Sequence, residues 1–366
     1  MQVSTIAYKC PCCGAPLAYD GESGKVKCAA CGNEYDVDAI EAMSGGNDEG
    51  SIIFSTTSDS FSSSETGQMH AYVCPNCGAE LMTDGTTTAT ECAYCGSPTV
   101  LPDNISGGVR PEKVLPFKIT KEQAQKQFED YFKGKRLMPN IFLNTRNRIA
   151  EMRKLYVPYW LFDCDASADI VFDAEKSDTS REGDYEVTRT RHYMVRRAGS
   201  LGFDSIPVDA SSKLDDMICE SLEPYDMSKA VEFSPAVLAG AMADRADTDV
   251  KKCEARAVER VKTSTEQAMR NTVNGYDSVT VRSRNIRSTD GKATPVLLPV
   301  WLITTEKQVD GKKQVYTFAI NGQTGELTCD VPADMGKSFG WFMGIFAGVC
   351  AVGYGLLVLL NAMGVL

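Results

Sequence analysis

Eight cysteines fall into two sets of identical spacing. Cys10 and Cys13 form one Cys-x-x-Cys pair, and Cys28 and Cys31 form a second after fourteen intervening residues; Cys74, Cys77, Cys92 and Cys95 repeat the pattern. A glycine follows every pair, at Gly14, Gly32, Gly78 and Gly96. Two residues between thiolates let one tight turn aim both sulfurs at a single ion, and the glycine supplies the positive φ that such a turn needs. Two turns joined by a short hairpin complete a tetrahedral site of four thiolates. Each set therefore reads as a zinc ribbon holding one structural Zn2+, two ions per chain. Protein fills all four positions, which leaves no coordination site for water or substrate. A redox dithiol and an iron–sulfur site share these residue types. Cys12 stands beside the first set as a bystander.

The rest of the chain offers little for catalysis. Its two histidines, His70 and His192, belong to no ligand-spaced cluster, and there is no nucleophile elbow, phosphate loop or dinucleotide fingerprint. Cys164 or Cys219 could pair with His192 as nucleophile and base, but a buried, inert cysteine is the commoner state. A non-enzymatic protein is expected.

The cysteines outside the ribbons (Cys12, Cys164, Cys219, Cys253, Cys329 and Cys350) form no disulfide framework. The opening MQVSTIAYKC has no apolar run behind a basic flank and so does not read as a secretory signal. Both features point to a reducing cytosol. Residues 1–101 hold thirteen acids against three bases, a net charge of −10, whereas the whole chain carries −11. A ribbon that reads nucleic acid must first neutralise phosphates, so this charge weighs against DNA or RNA as a partner.

The elements that hold the cysteines are read as follows. Residues 1–40 form ribbon 1 and 70–101 ribbon 2, with 41–69, rich in Ser, Gly and acids, as a flexible tether that lets the ribbons move independently. Residues 102–335 read as an α+β body made of a duplicated helix-plus-antiparallel-sheet unit. The helices are expected over 121–132 and 249–272, the latter with Val250, Ala257, Val258, Val261 and Ala268 on one stripe. Each precedes a β-like run containing Pro-x-Trp-Leu, at Pro158 to Leu161 and Pro299 to Leu302, which reads as core packing. Asp310-Gly311 and Asn321-Gly322 mark tight turns. The strand YEVTRTRHYMVRR places Arg189, Arg191 and Arg197 on one side, a basic stripe that is either solvated or turned to an acidic partner.

Residues 336–366 read as a C-terminal anchor. Within them 339–360 is a run of twenty-two uncharged residues; at ~1.5 Å per residue it reaches about 33 Å, enough to cross a bilayer core. Lys337 and Trp341 on its N-terminal side agree with a single-pass membrane protein whose body lies in the cytoplasm. Gly340, Gly344 and Gly348 recur every fourth residue, a stripe open to self-association.

With the two ribbons, VPYWLFD, LLPVWLITTEK, YTFAINGQTGEL and the apolar tail in view, the whole chain resembles a bacterial family of transcription-factor-IIB-type zinc-ribbon membrane proteins. The resemblance rests on the eight ribbon cysteines and supplies no catalytic residue. It implies association with phage-shock-type and flotillin-like SPFH proteins in membrane stress, hence a membrane-anchored, tail-anchored adaptor or scaffold presenting its ribbons to protein partners. A membrane-tethered nucleic-acid-associated regulator and a thiol or zinc redox sensor are the alternatives.

Overall fold

The computed structural model describes residues 8–21, 23–37, 39–40, 50–56, 58–84, 91–95, 97, 101–103, 108–133, 135, 137, 152–309, 312–329 and 334–362. The chain opens with β1 (Leu17–Asp20), β2 (Lys25–Cys28), β3 (Glu34–Asp36) and β4 (Ile52–Thr56). Next come α1 (Ser63–Thr66), β5 (Met69–Val73), β6 (Glu80–Asp84), β7 (Leu101–Asp103), β8 (Lys113–Val114) and α2 (Lys121–Phe132). Two long strands follow, β9 (Arg153–Glu182) and β10 (Tyr185–Asp209), then α3 (Asp216–Ser221), β11 (Val231–Glu232), β12 (Met242–Asp244) and α4 (Val250–Arg270). The last elements are β13 (Ser278–Val309), β14 (Lys312–Asn321), β15 (Leu327–Cys329) and α5 (Met335–Ala362). The fold is mixed α and β.

Two compact units share these elements. The first takes Met1–Thr56, Phe162–Ile206 and Glu254–Ala293; the second takes Thr57–Leu161, Pro207–Cys253 and Thr294–Leu366. Division by unit therefore cuts across the sequential domains expected from composition.

The second unit is built on a sheet in the order β11-β8-β13-β9-β12-β6-β5-β7, with β14 also on β13 and β15 on β14. Period two decides what each face buries. Leu155, Val157, Tyr159 and Leu161 of β9 join Val296, Leu298, Val300 and Leu302 of β13 on one face. Trp301 and Ile303 point the other way, with Phe318 and Ile320 of β14, onto Ala124, Phe128 and Phe132 of α2. Those three lie four residues apart, one face of a helix. A capping box starts α2: Thr120 Oγ1 accepts from the Gln123 N–H, and Gln123 Oε1 accepts from the Thr120 N–H. Both Pro-x-Trp-Leu segments are core, as their composition suggests. Trp160 is buried, and buried Trp301 donates its indole N–H to Ile119 O at 3.1 Å.

Not all pairing is antiparallel. β8 runs parallel to β13, β12 parallel to β9, and, in the first unit, β4 parallel to β13. That last pairing also corrects the flexible tether. Residues 41–49 lie outside the described residues, but Ile52 and Phe54 are buried in β4, and Phe54 packs edge-on against Phe162. In the second unit Phe61 packs on Phe233, and α1 carries its own capping box at Ser62 and Glu65. Ser, Gly and acid content masked the strand Ile52–Thr56, in which Ile52 and Phe54 are buried and Ile53 between them is exposed.

The first unit holds a separate sheet, β1-β2-β3, together with the distal parts of β9 and β13 and most of β10. On α4 the buried residues are Cys253, Ala257, Val261, Thr265 and Met269, while Val250, Val258 and Ala268 of the expected stripe are only half-buried. Asp310 and Gly311 lie outside the described residues, although Val309 and Lys312 on either side of them pair. The turn after β14 has Gly325 at φ +82°.

α5 is longer than its uncharged run. Asp334 caps it by accepting from the Lys337 N–H. Its large apolar side chains are 45 to 82% exposed from Met335 to Val358, and the segment's mean hydropathy of 1.9 makes it long and apolar enough to cross a membrane.

Candidate metal centres

Each Cys-x-x-Cys pair sits in the same turn. The N–H of Gly14 donates to Cys10 O, that of Gly32 to Cys28 O and that of Gly78 to Cys74 O, at 2.8 to 2.9 Å. These glycines have φ of +73°, +76° and +68°, so a side chain there would strain the turn. Gly96 lies outside the described residues. Cys10, Cys28, Cys74 and Cys92 each donate their N–H to a carbonyl five residues on. The turns thereby face one another in pairs. In the first cluster Cys10 and Cys31 place their sulfurs 3.5 Å apart, and Cys13 and Cys28 3.4 Å apart. In the second, Cys74–Cys95 and Cys77–Cys92 are both at 3.6 Å. All four sulfurs of each set lie within 4.8 Å of one another, and either set could hold a metal ion.

The clusters differ in surroundings. In the first, Cys13 and Cys31 are exposed and Cys10 and Cys28 buried. Burial opposes ionisation of Cys10, but hydrogen bonds from the Tyr35 hydroxyl, at 3.5 Å, and from the Cys13 and Cys12 backbone bring the thiol down to about 6. Cys12 is exposed, and with Tyr35, Glu175, His192, Tyr193 and Arg282 it lines a cleft of about 510 Å³ within the first unit.

The second cluster is part of a core. Its β5–β6 hairpin belongs to the large sheet, where β6 pairs with β12. Cys74, Ala79, Leu81, Cys92, Ala93 and Tyr94 are buried with Leu155, Val157, Leu214 and Leu222. Tyr94, between Cys92 and Cys95, donates its hydroxyl to Asp244 Oδ2 at 2.5 Å, and its carbonyl accepts from Thr304 Oγ1 at 2.6 Å. Lys213 Nζ reaches Cys77 O at 3.1 Å, and Arg153 pairs with Glu91 at 3.0 Å. Burial lifts Asp244 to about 7 against the hydrogen bonds from Ser211 and Tyr94, with Asp247 adding repulsion. The sequence gives no sign of this network, because Tyr94 and Asp244 lie 150 residues apart and meet only in the folded chain, where β12 pairs with β6. Ribbon 2 is thus part of the second unit's core and not a module hanging from a linker.

The other singled-out side chains have local partners. His192 is exposed and meets Glu175 at 3.2 Å, while Cys164 is buried near Ser288. Cys219 is buried in the second unit. Arg189 pairs with Glu182, Arg191 with Asp178, and Arg197 donates to Thr272 Oγ1, so the basic stripe is met by its own unit.

Fold and sites together define a mixed α and β chain with two four-cysteine clusters and one exposed apolar C-terminal helix. No family model and no solved structure matches it. It is 35% identical over 343 residues to the uncharacterized protein YdjG of Bacillus subtilis (strain 168), across 94% of this chain and 95% of that one. The chain belongs to the family of YdjG.

Proposed function

We propose that the chain is a non-enzymatic, membrane-anchored adaptor of the transcription-factor-IIB-type zinc-ribbon kind. Its body lies at the cytoplasmic face of the cell membrane, and ribbon 1 is offered to protein partners, phage-shock-type and flotillin-like SPFH proteins being the first to test. The metal in both clusters is Zn2+. A Zn–S bond of about 2.3 Å in tetrahedral geometry sets sulfurs about 3.8 Å apart, close to the 3.4 to 3.6 Å between paired cysteines. A duplicated body is supported by the symmetric crossing of its parallel pairs, since β8 precedes α2 and lies on β13 while β12 precedes α4 and lies on β9.

Helix α5 carries the proposal. A core helix would be buried on at least one side, whereas α5 is apolar all round and buried nowhere in its candidate span, a surface that only lipid or another apolar helix satisfies. Full-length protein should stay with membranes through alkaline carbonate extraction, and the chain lacking 335–362 should not. Capture of the two named partner classes should require both α5 and residues 8–40. Capture that persists without 8–40 would remove ribbon 1 as the docking module, and carbonate-resistant binding without α5 would remove the anchor.

A further inference from the structure

Strands β9 and β10 meet in an exposed stretch at the end of β9 and the start of β10. Asp277, directly before β13, donates its N–H to Glu175 O at 2.8 Å and accepts from the Ser177 N–H at 2.7 Å. Past that point β9 and β10 continue as a two-stranded arm, and among the described residues β10 has no strand partner but β9. From Lys176 to Arg191 every side chain except the half-buried Val187 is exposed. A hairpin with neither face covered is marginal in water, and a long free edge invites another strand.

The arm is held by cross-strand polar pairs, Ser177 with Thr190 at 2.9 Å and Thr179 with Thr188 at 3.1 Å. Its ion pairs all run one way, from acids of β9 to arginines of β10: Asp178 to Arg191 and Glu182 to Arg189. Exposed pairs of this kind contribute about 0–1 kcal/mol each, so they leave the side chains able to turn to a second partner. A strand arriving antiparallel on the outer edge of β10 meets those arginines from the other side. The segment matched to them is the arm of β9 itself, because it already pairs with β10 in that direction. A symmetric β10-to-β10 contact would instead set arginine against arginine.

We propose that this arm is a self-assembly element, in which the outer edge of β10 takes the outer edge of β9, around Asp178 to Glu182, from a second copy of the chain. The contact is head-to-tail, so it builds rows or rings of copies and not a two-fold dimer.

The test uses full-length protein in detergent micelles, with size read by light scattering across a concentration series. R189E/R191E makes both edges acidic, and D178R/E182R makes both basic. Each variant alone should associate at least about tenfold more weakly than the wild type, from two attractive pairs turned repulsive. Mixed in equal amounts they become complementary again, and large species should return. A misfolded arm would give no such recovery. The proposal is overturned by a wild type that stays monomeric, by assembly that persists in either variant alone, or by a mixture that remains small.

Discussion

Two clusters share one spacing and one turn geometry, yet one stands on a small sheet of its own and the other is welded into a core. The difference lies in what fills the positions around the cysteines. Between Cys92 and Cys95 stand Ala93 and Tyr94, both buried; between Cys28 and Cys31 stand Ala29 and Ala30, both exposed. After the first turn, ribbon 2 sends Leu81 and Met82 into two different apolar clusters. At the matching places ribbon 1 has Leu17, only half-buried, and Ala18, exposed. Cysteine spacing builds the metal site, while the flanking side chains decide whether that site is a foundation or an outpost.

This contrast breaks if the clusters turn out to be equally important to the fold. Replacing Cys74 and Cys92 by Ser leaves polar groups in a dry core and removes the cross-link between β5–β6 and the second turn. The loss should be about 5 kcal/mol or more, comparable to the stability of a whole domain. Tryptophan fluorescence from Trp160 and Trp301 would report it as unfolding or insolubility of the full chain. The same exchange at Cys10 and Cys28 should leave that signal in place.

Asp244 gives a pH test of how firmly ribbon 2 is seated. Its folded pKa, about 7, lies above that of an unfolded carboxylate. The stability linked to its proton is therefore complete below about pH 4 and is lost as pH rises to about 7, by up to about 4 kcal/mol. Urea midpoints should fall with rising pH in the wild type, and Asp244→Asn should flatten that fall. An unchanged slope would mean that Asp244 is not the group responsible.

Tyr94→Phe removes one hydroxyl from the same network and leaves the Asp244 carboxyl with less support. A loss of about 1–3 kcal/mol is expected from denaturant midpoints. A value near zero would show that the ribbon is held by apolar packing alone.

The smallest effect should come from deleting residues 1–40. The cores that hold α2, α3 and ribbon 2 take no residue from that segment, so the melting transition of the second unit should move by less than about 2 °C, within the scatter of surface changes. Metal release to a chelator should have two phases, the faster one vanishing in that deletion, since exposed thiolates are attacked first.

The amino-acid order alone determined the eight ligand candidates, the turns that carry them and the apolar helix, because each depends on residues within a few positions of one another. A Cys-x-x-Cys-Gly turn needs no distant partner, nor does a run long enough to span lipid. It also determined α2 and the buried tryptophan segments, where period and composition agree. Only the tertiary structure decided that β4 is a strand in a sheet and not part of a tether, since Ile52 and Phe54 become core through β13, more than 200 residues away. The same holds for the parallel crossings of β8 and β12, and for Tyr94, an ordinary aromatic in the sequence that ties a metal turn to Asp244. Pairings across long stretches of chain are chosen by the total surface they bury, a sum over the whole fold that no local pattern encodes.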